Sequence, residues 1–264
     1  MTLTIRRGRG LPLTYAALRV SERVRGSEVS VPSDDGATIA AELFLPSKPS
    51  AGASPGVVVL HESFGLNDDI RRIAGRFAAA GYAALAPSLY SHGKRLVCLS
   101  RVMVDMVSGH CSREVDDVHA ARTWLAAREE VDAGRIAVAG FCQGGGFALI
   151  AGTRPGFAAA AVNYGAVPSK REHLDGLCPV VASFGGRDRM FGRGMAERLE
   201  SHLQALGVAH DVKTYDGAGH SFFSRHEGWQ GWLARVPTPM AVGHDEQSAE
   251  DGWQRMLGFF AEHV

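Results

Sequence analysis

Cys142 lies in Gly140-Phe141-Cys142-Gln143-Gly144, between an apolar run at Ile136–Gly140 and a small-residue stretch at Gly144–Ile150. A thiol flanked by glycines where a strand gives way to a helix is held at a sharp corner, and the strained backbone there pushes the side chain outward. The helix that starts at the corner aims free N–H groups and positive partial charge at the sulfur, which favours a thiolate. Two other residues complete a nucleophilic set: Asp188, just past the apolar run "PVVASFGG", and His220, in the small-residue turn "GAGHS" that follows "HDVKTYDG". In such a set His220 accepts the thiol proton and later passes it to a leaving group, while Asp188 orients the imidazole and stabilises its cation. Each residue alone has an ordinary reading, as a small buried cysteine, a turn aspartate or a structural histidine. Together, at strand ends and in this order, they read as chemistry.

The elements that must position them alternate along the chain. "ATIAAELFLP", "GVVVLH", "AALAP" and "RIAVAG" are β-rich and bounded by turn residues, and "FAAAAVNYG", "PVVASFGG" and "HDVKTYDG" continue the series. Several are almost continuously apolar, as parallel strands covered on both faces are. Between them run helical patterns. "NDDIRRIAGRFAAAGY" carries Ile70, Ile73, Ala74 and Phe77 on one face and Asn67 as its cap, and "REVDDVHAARTWLAAR" carries Val115, Val118 and Leu125. "GMAERLESHLQALG" follows, and the last helix, "SAEDGWQRMLGFFAEHV", buries Trp253, Met256, Leu257 and Phe260, with Ser248 and Asp251 as a capping box. "RLVCLSRVMVDMVSG" (95–109) is a further apolar helix over the site, and residues 221–244 form a long irregular flank. This alternation predicts an α/β fold with a mostly parallel central sheet and helices on both faces. The order nucleophile, acid, histidine is that of the α/β-hydrolase fold.

In that fold one oxyanion-hole N–H comes from the residue after the nucleophile and the other from the loop after a neighbouring strand. These are the backbone N–H groups of Gln143 and Ser63, the latter in "VVVLHESFGLND". Two such donors stabilise a tetrahedral oxyanion by several kcal/mol. Glu62 stands beside this hole, where a carboxylate opposes negative charge; its ordinary reading is an exposed or ion-paired glutamate. A zinc motif HExxH would need histidine at Gly65, and a dinucleotide loop GxGxxG would need glycine at Cys142.

Composition narrows the partners. The 264 residues carry 28 Lys+Arg against 28 Asp+Glu, so nothing favours nucleic acid or an anionic membrane. Apolar runs are too short to span a bilayer, and the arginine-bearing start lacks a signal-peptide core. Residues 1–25 are expected to form an N-terminal extension, an arm or a flexible segment, before a domain at 26–264. Four cysteines without CxxC spacing do not make a disulfide framework, and a cytoplasmic location is the default.

The motifs HE-x-FG-L-N, G-F-C-x-G-G, GG-x-D and AGHSFF resemble the dienelactone hydrolase family of α/β-hydrolases, and the resemblance covers residues 27–264, most of the chain. It implies hydrolysis of a small ester or enol-lactone through an acyl-enzyme on Cys142, with no cofactor or metal, by a monomer or homodimer. It also implies that Glu62 sits against the cysteine at rest and helps to take the thiol proton when substrate enters. Tyr90, Tyr164 and Phe222 fall at or near positions that line the family's pocket. The family holds a substrate carboxylate with two arginines; at those positions this sequence has His92 and Ser224, with Arg95 and Arg225 nearby. The resemblance therefore implies either another anchor for the anion or a substrate without one. Two other classes share these residues: a non-catalytic small-molecule binding protein of the same fold, and a thiol-based sensor acting through Cys142.

Overall fold

A computed structural model describes residues 26–47, 52–91, 113–226 and 238–264. The expected extension at 1–25, the apolar helix at 95–109, His92 and Arg95, and most of the flank around Trp229 and Trp232 lie outside the described residues.

The described residues form an eight-stranded sheet: β1 Ser27–Pro32, β2 Thr38–Phe44, β3 Ser54–Leu60, β4 Ala83–Pro87, β5 Val131–Phe141, β6 Ala159–Asn163, β7 Val180–Gly185 and β8 His210–Tyr215. The spatial order is β1-β2-β4-β3-β5-β6-β7-β8. β2 is antiparallel to both its neighbours, and from β4 to β8 every pair is parallel. This is the α/β-hydrolase architecture. β1 was not among the expected strands; "SEVSVP" alternates polar and apolar residues but is short, and pairing with β2 fixes it.

Five α-helices flank the sheet among the described residues: α1 Asp68–Ala79, α2 Arg113–Ala126, α3 Gln143–Ala151, α4 Arg193–Leu206 and α5 Glu246–His263. Strand alternation sends Val58, Leu60, Val138 and Val162 to a core shared with α2, α3 and α4. Val57, Val59, Ala137 and Ala139 go to the other face, against α1 and α5. There Phe77 of α1 meets Trp253 (4.7 Å between ring centroids) and Phe260 (6.1 Å) of α5. Burying each such ring contributes about 1.5–3 kcal/mol.

Asn67 caps α1 as its sequence suggests, its Oδ1 accepting from the Ile70 N–H. The cap of α5 differs from expectation. The helix starts two residues earlier than Ser248, and Asp245 accepts from the Ser248 N–H at 2.8 Å. An aspartate just ahead of Glu246 offers a charged acceptor and outcompetes the hydroxyl.

β3 and β5 are central neighbours, paired from Gly56 with Ile136 to Leu60 with Gly140. Their C-terminal ends therefore bring residues 61–65 beside the β5–α3 corner. The corner has no room for side chains at its glycines: a Cβ at Gly140 would lie 1.9 Å from the Gly144 carbonyl oxygen, and one at Gly144 would lie 2.5 Å from that of Leu60.

Candidate active site

At the corner Cys142 adopts φ 54° and ψ −117°, a conformation L-residues rarely hold. It is fixed from both sides. The Cys142 N–H donates to the Asn163 carbonyl (3.0 Å), and the Asn163 side-chain amide donates to the Gly140 carbonyl (3.1 Å). The Cys142 carbonyl accepts from the Gly145 N–H, opening α3. The thiol is half-buried rather than enclosed in the core. Asn163, at the end of β6, is a brace with no sequence signal beyond its pairing with Phe141.

Asp188 and His220 converge through two touching loops. A Cβ at Gly185 would lie 2.3 Å from the Gly219 carbonyl oxygen, so the turn after β7 and the turn after β8 meet backbone to backbone. Residues 238–243 strap both: the Arg189 N–H donates to the Pro239 carbonyl, and the His220 N–H to the Met240 carbonyl. Asp188 is almost fully buried, with Oδ1 accepting from the Met190 and Phe191 N–H groups and Oδ2 lying 2.6 Å from His220 Nδ1. Nδ1 is therefore the protonated donor. Nε2 of His220 is buried, and among the described residues the Cys142 sulfur is the polar group that acts on it. Rings of Tyr164 (5.0 Å) and Phe191 (5.5 Å) pack on the imidazole. Burial opposes its charged form, but charge on the Cys142 sulfur and the Asp188 carboxylate outweigh this and raise His220 to about 10.

Glu62 is buried and, among the described residues, takes no ion pair. Its Oε1 accepts from Tyr164 Oη (3.1 Å) and Ser224 Oγ (3.0 Å). Tyr164 is fully buried at φ 42°; burial first, then the charges of Glu62 and Cys142, push its phenol well above the ordinary range. Ser224 thus offers a hydroxyl committed to Glu62. Arg225 is exposed, and only its backbone N–H faces inward, donating to Asp69 Oδ1 at 2.9 Å. Phe222 is fully buried among Tyr164, Tyr215 and Phe223, behind the site rather than on its surface.

Ser63 and Gln143 lie on the two adjoining loops, and their side chains meet: Ser63 Oγ donates to Gln143 Oε1 at 3.3 Å. Tyr90 Oη reaches both loops, 2.9 Å from Gln143 Oε1 and 3.2 Å from the Ser63 carbonyl. Asp69, in the first turn of α1, was absent from the sequence-derived set. Its carboxylate accepts from the Arg225 and His226 N–H groups and from Arg72. A carboxylate in the first turn of a helix ordinarily serves the helix dipole, so its position alone does not point to the site. No cluster of His, Cys, Asp or Glu suited to a metal occurs among the described residues, and no helix among them is long and apolar enough to cross a membrane.

Residues 39–264 match the model of the dienelactone hydrolase family. The chain is 31% identical over 234 residues to a Salmonella typhimurium protein named "Putative carboxymethylenebutenolidase", covering 82% of this chain and 80% of that one. A protein of the same name from Yersinia pestis is 29% identical over 252 residues, covering 89% and 88%. Among solved structures, a Klebsiella pneumoniae protein titled a putative dienelactone hydrolase superposes with a TM-score of 0.71 at 28% identity, covering 90% of this chain and 98% of that one.

Proposed function

Starting from the fact that the chain belongs to the dienelactone hydrolase family and is a carboxylic ester hydrolase, we propose that it cleaves small esters or lactones through an acyl-enzyme on Cys142. The observation that carries this reading is the histidine: buried, anchored to Asp188 at 2.6 Å through Nδ1, and held in its protonated form by the Cys142 sulfur on its other side.

The thiolate attacks the carbonyl carbon; the C–S bond forms and the carbonyl π pair moves to oxygen. The N–H groups of Ser63 and Gln143 hold that oxyanion. Collapse expels the alkoxide or enolate, which takes the proton from His220 Nε2. Water then attacks the thioester with His220 as base, and the thiolate leaves. Asp188 keeps the imidazole in one tautomer throughout. Glu62, held between Tyr164 and Ser224, helps pass the thiol proton to His220 Nε2 as substrate enters, so the proton the leaving group takes is the one the thiol gave up. Ser224, spent on Glu62, gives a substrate carboxylate no cation at that position, which favours an uncharged substrate end there.

The test compares wild type with Cys142→Ala and Glu62→Gln on aryl acetates and on enol-lactones with and without a carboxylate, with mass spectrometry of the acid-quenched enzyme. Cys142→Ala should abolish turnover and the acyl adduct. Glu62→Gln should lower kcat/KM and change the rate of Cys142 alkylation. Equal turnover in wild type and Cys142→Ala would reject the mechanism.

A further inference from the structure

Tyr90 sits on the loop after β4, a third loop beside the two that supply the oxyanion-hole N–H groups. That loop is itself locked to the end of β3. His61 is fully buried, and its Nε2 accepts from the Leu89 N–H at 3.0 Å. Nδ1 must then carry the proton, and it donates to the Glu62 carbonyl at 2.7 Å. The His61 ring packs against the Tyr90 ring at 4.9 Å. From this anchored position the single Tyr90 O–H proton is shared between the Gln143 side-chain oxygen (2.9 Å) and the Ser63 carbonyl (3.2 Å), and Ser63 Oγ donates to the same amide oxygen.

An oxyanion hole needs both donors about 2.7–3.1 Å from one point, so the spacing of the two loops is a catalytic quantity. The β5–α3 corner is rigid, and Gly144 rests against the carbonyls of Leu60 and His61. Ser63 lies two residues beyond that contact, where the chain has turned away. We propose that the Tyr90 hydroxyl and the Gln143 side chain form a strut that sets the distance between the Ser63 and Gln143 N–H groups; both are positioning residues for the oxyanion hole. The inference rests on the ester-hydrolase reading above and on those two N–H groups as its oxyanion donors. It assigns Tyr90 a role other than pocket lining, and it assigns the Gln143 side chain a role separate from that of its backbone.

Tyr90→Phe removes one hydroxyl, and Gln143→Met keeps the backbone N–H and the volume while removing the amide. Each is measured with an aryl ester and its thionoester, whose sulfur fits an oxygen-sized hole poorly, and by iodoacetamide alkylation of Cys142, which develops no oxyanion. Each variant should lose about 10-fold in kcat on the ester, less than the 10²–10³ lost when a donor itself is removed. KM should move less than 3-fold, the ester-over-thionoester preference should shrink, and alkylation should stay within 2-fold of wild type. The double variant should be little worse than either single one, since both cut one strut. Ester turnover within 2-fold of wild type in both variants, or alkylation falling in step with turnover, would overturn the strut while leaving the hydrolase reading intact. Wild type inert toward every ester would overturn that reading and the strut with it.

Discussion

Replacing Asp69 by alanine removes a carboxylate that ties the start of α1 to a segment more than 150 residues later. Asp69 is buried, and its oxygens take the Arg225 N–H at 2.9 Å and the His226 N–H at 3.0 Å, with Arg72 at 3.1 Å. Arg72 also donates to the Phe223 carbonyl at 2.7 Å. These bonds hold residues 223–226 in place, and with them Ser224 against Glu62. A hydrogen bond to a charged group contributes about 1.5–3 kcal/mol. Two are lost outright, and Arg72, a quarter exposed, keeps its bond to Phe223, so the loss comes to about 3–6 kcal/mol. At this chain length that is a fall of roughly 10 °C in Tm. Freed from the clamp, Ser224 no longer fixes Glu62, and kcat/KM should fall about 10-fold, a change of roughly 1.4 kcal/mol in the barrier. Burial opposes the charged form of Asp69, but the two N–H groups and Arg72 more than offset it and hold its carboxyl below the ordinary range. Its stabilisation is therefore whole above the ordinary aspartate value near 3.8 and is lost as pH falls through the lower folded value. Denaturant and thermal unfolding as a function of pH, with ester kinetics on the same preparations, read all three effects. A Tm within 2 °C of wild type together with unchanged kcat/KM would refute the clamp.

Two other outcomes follow from the site. The His220 imidazole should keep its proton through pH 8 and release it near pH 10, because the Cys142 sulfur and Asp188 overcome burial; its stabilising contribution is then whole below about 6.5 and fades as pH rises through about 10. A carbon-13 NMR titration reads this directly, Cys142→Ala should bring the midpoint down, and a wild-type midpoint near 6.5 would contradict the ion-pair geometry. Gly144→Ala should cost about 3 kcal/mol or more and abolish turnover, since its methyl would overlap the Leu60 carbonyl at 2.5 Å with no flexible side chain to yield; kcat/KM within 2-fold of wild type would show that the corner tolerates a shift.

Much of this was legible in the chain itself because it is written locally. The corner at Cys142 follows from glycines two residues to either side, and the parallel strands follow from short apolar runs between turn residues. Asp188 and His220 stand at strand ends in the order the fold uses. The tertiary structure decided what touches across loops. Glu62 meets Tyr164 and Ser224, 102 and 162 positions away, and Tyr90 meets Gln143 across 53. These contacts depend on β3 lying between β4 and β5, and the Asp188–His220 pair depends on two turns meeting at Gly185 and Gly219. Periodicity encodes which face of an element is buried; it carries no information about which loop tips the finished sheet sets side by side. Hydrogen-bond partners at the end of a sheet are fixed only when the strand order is.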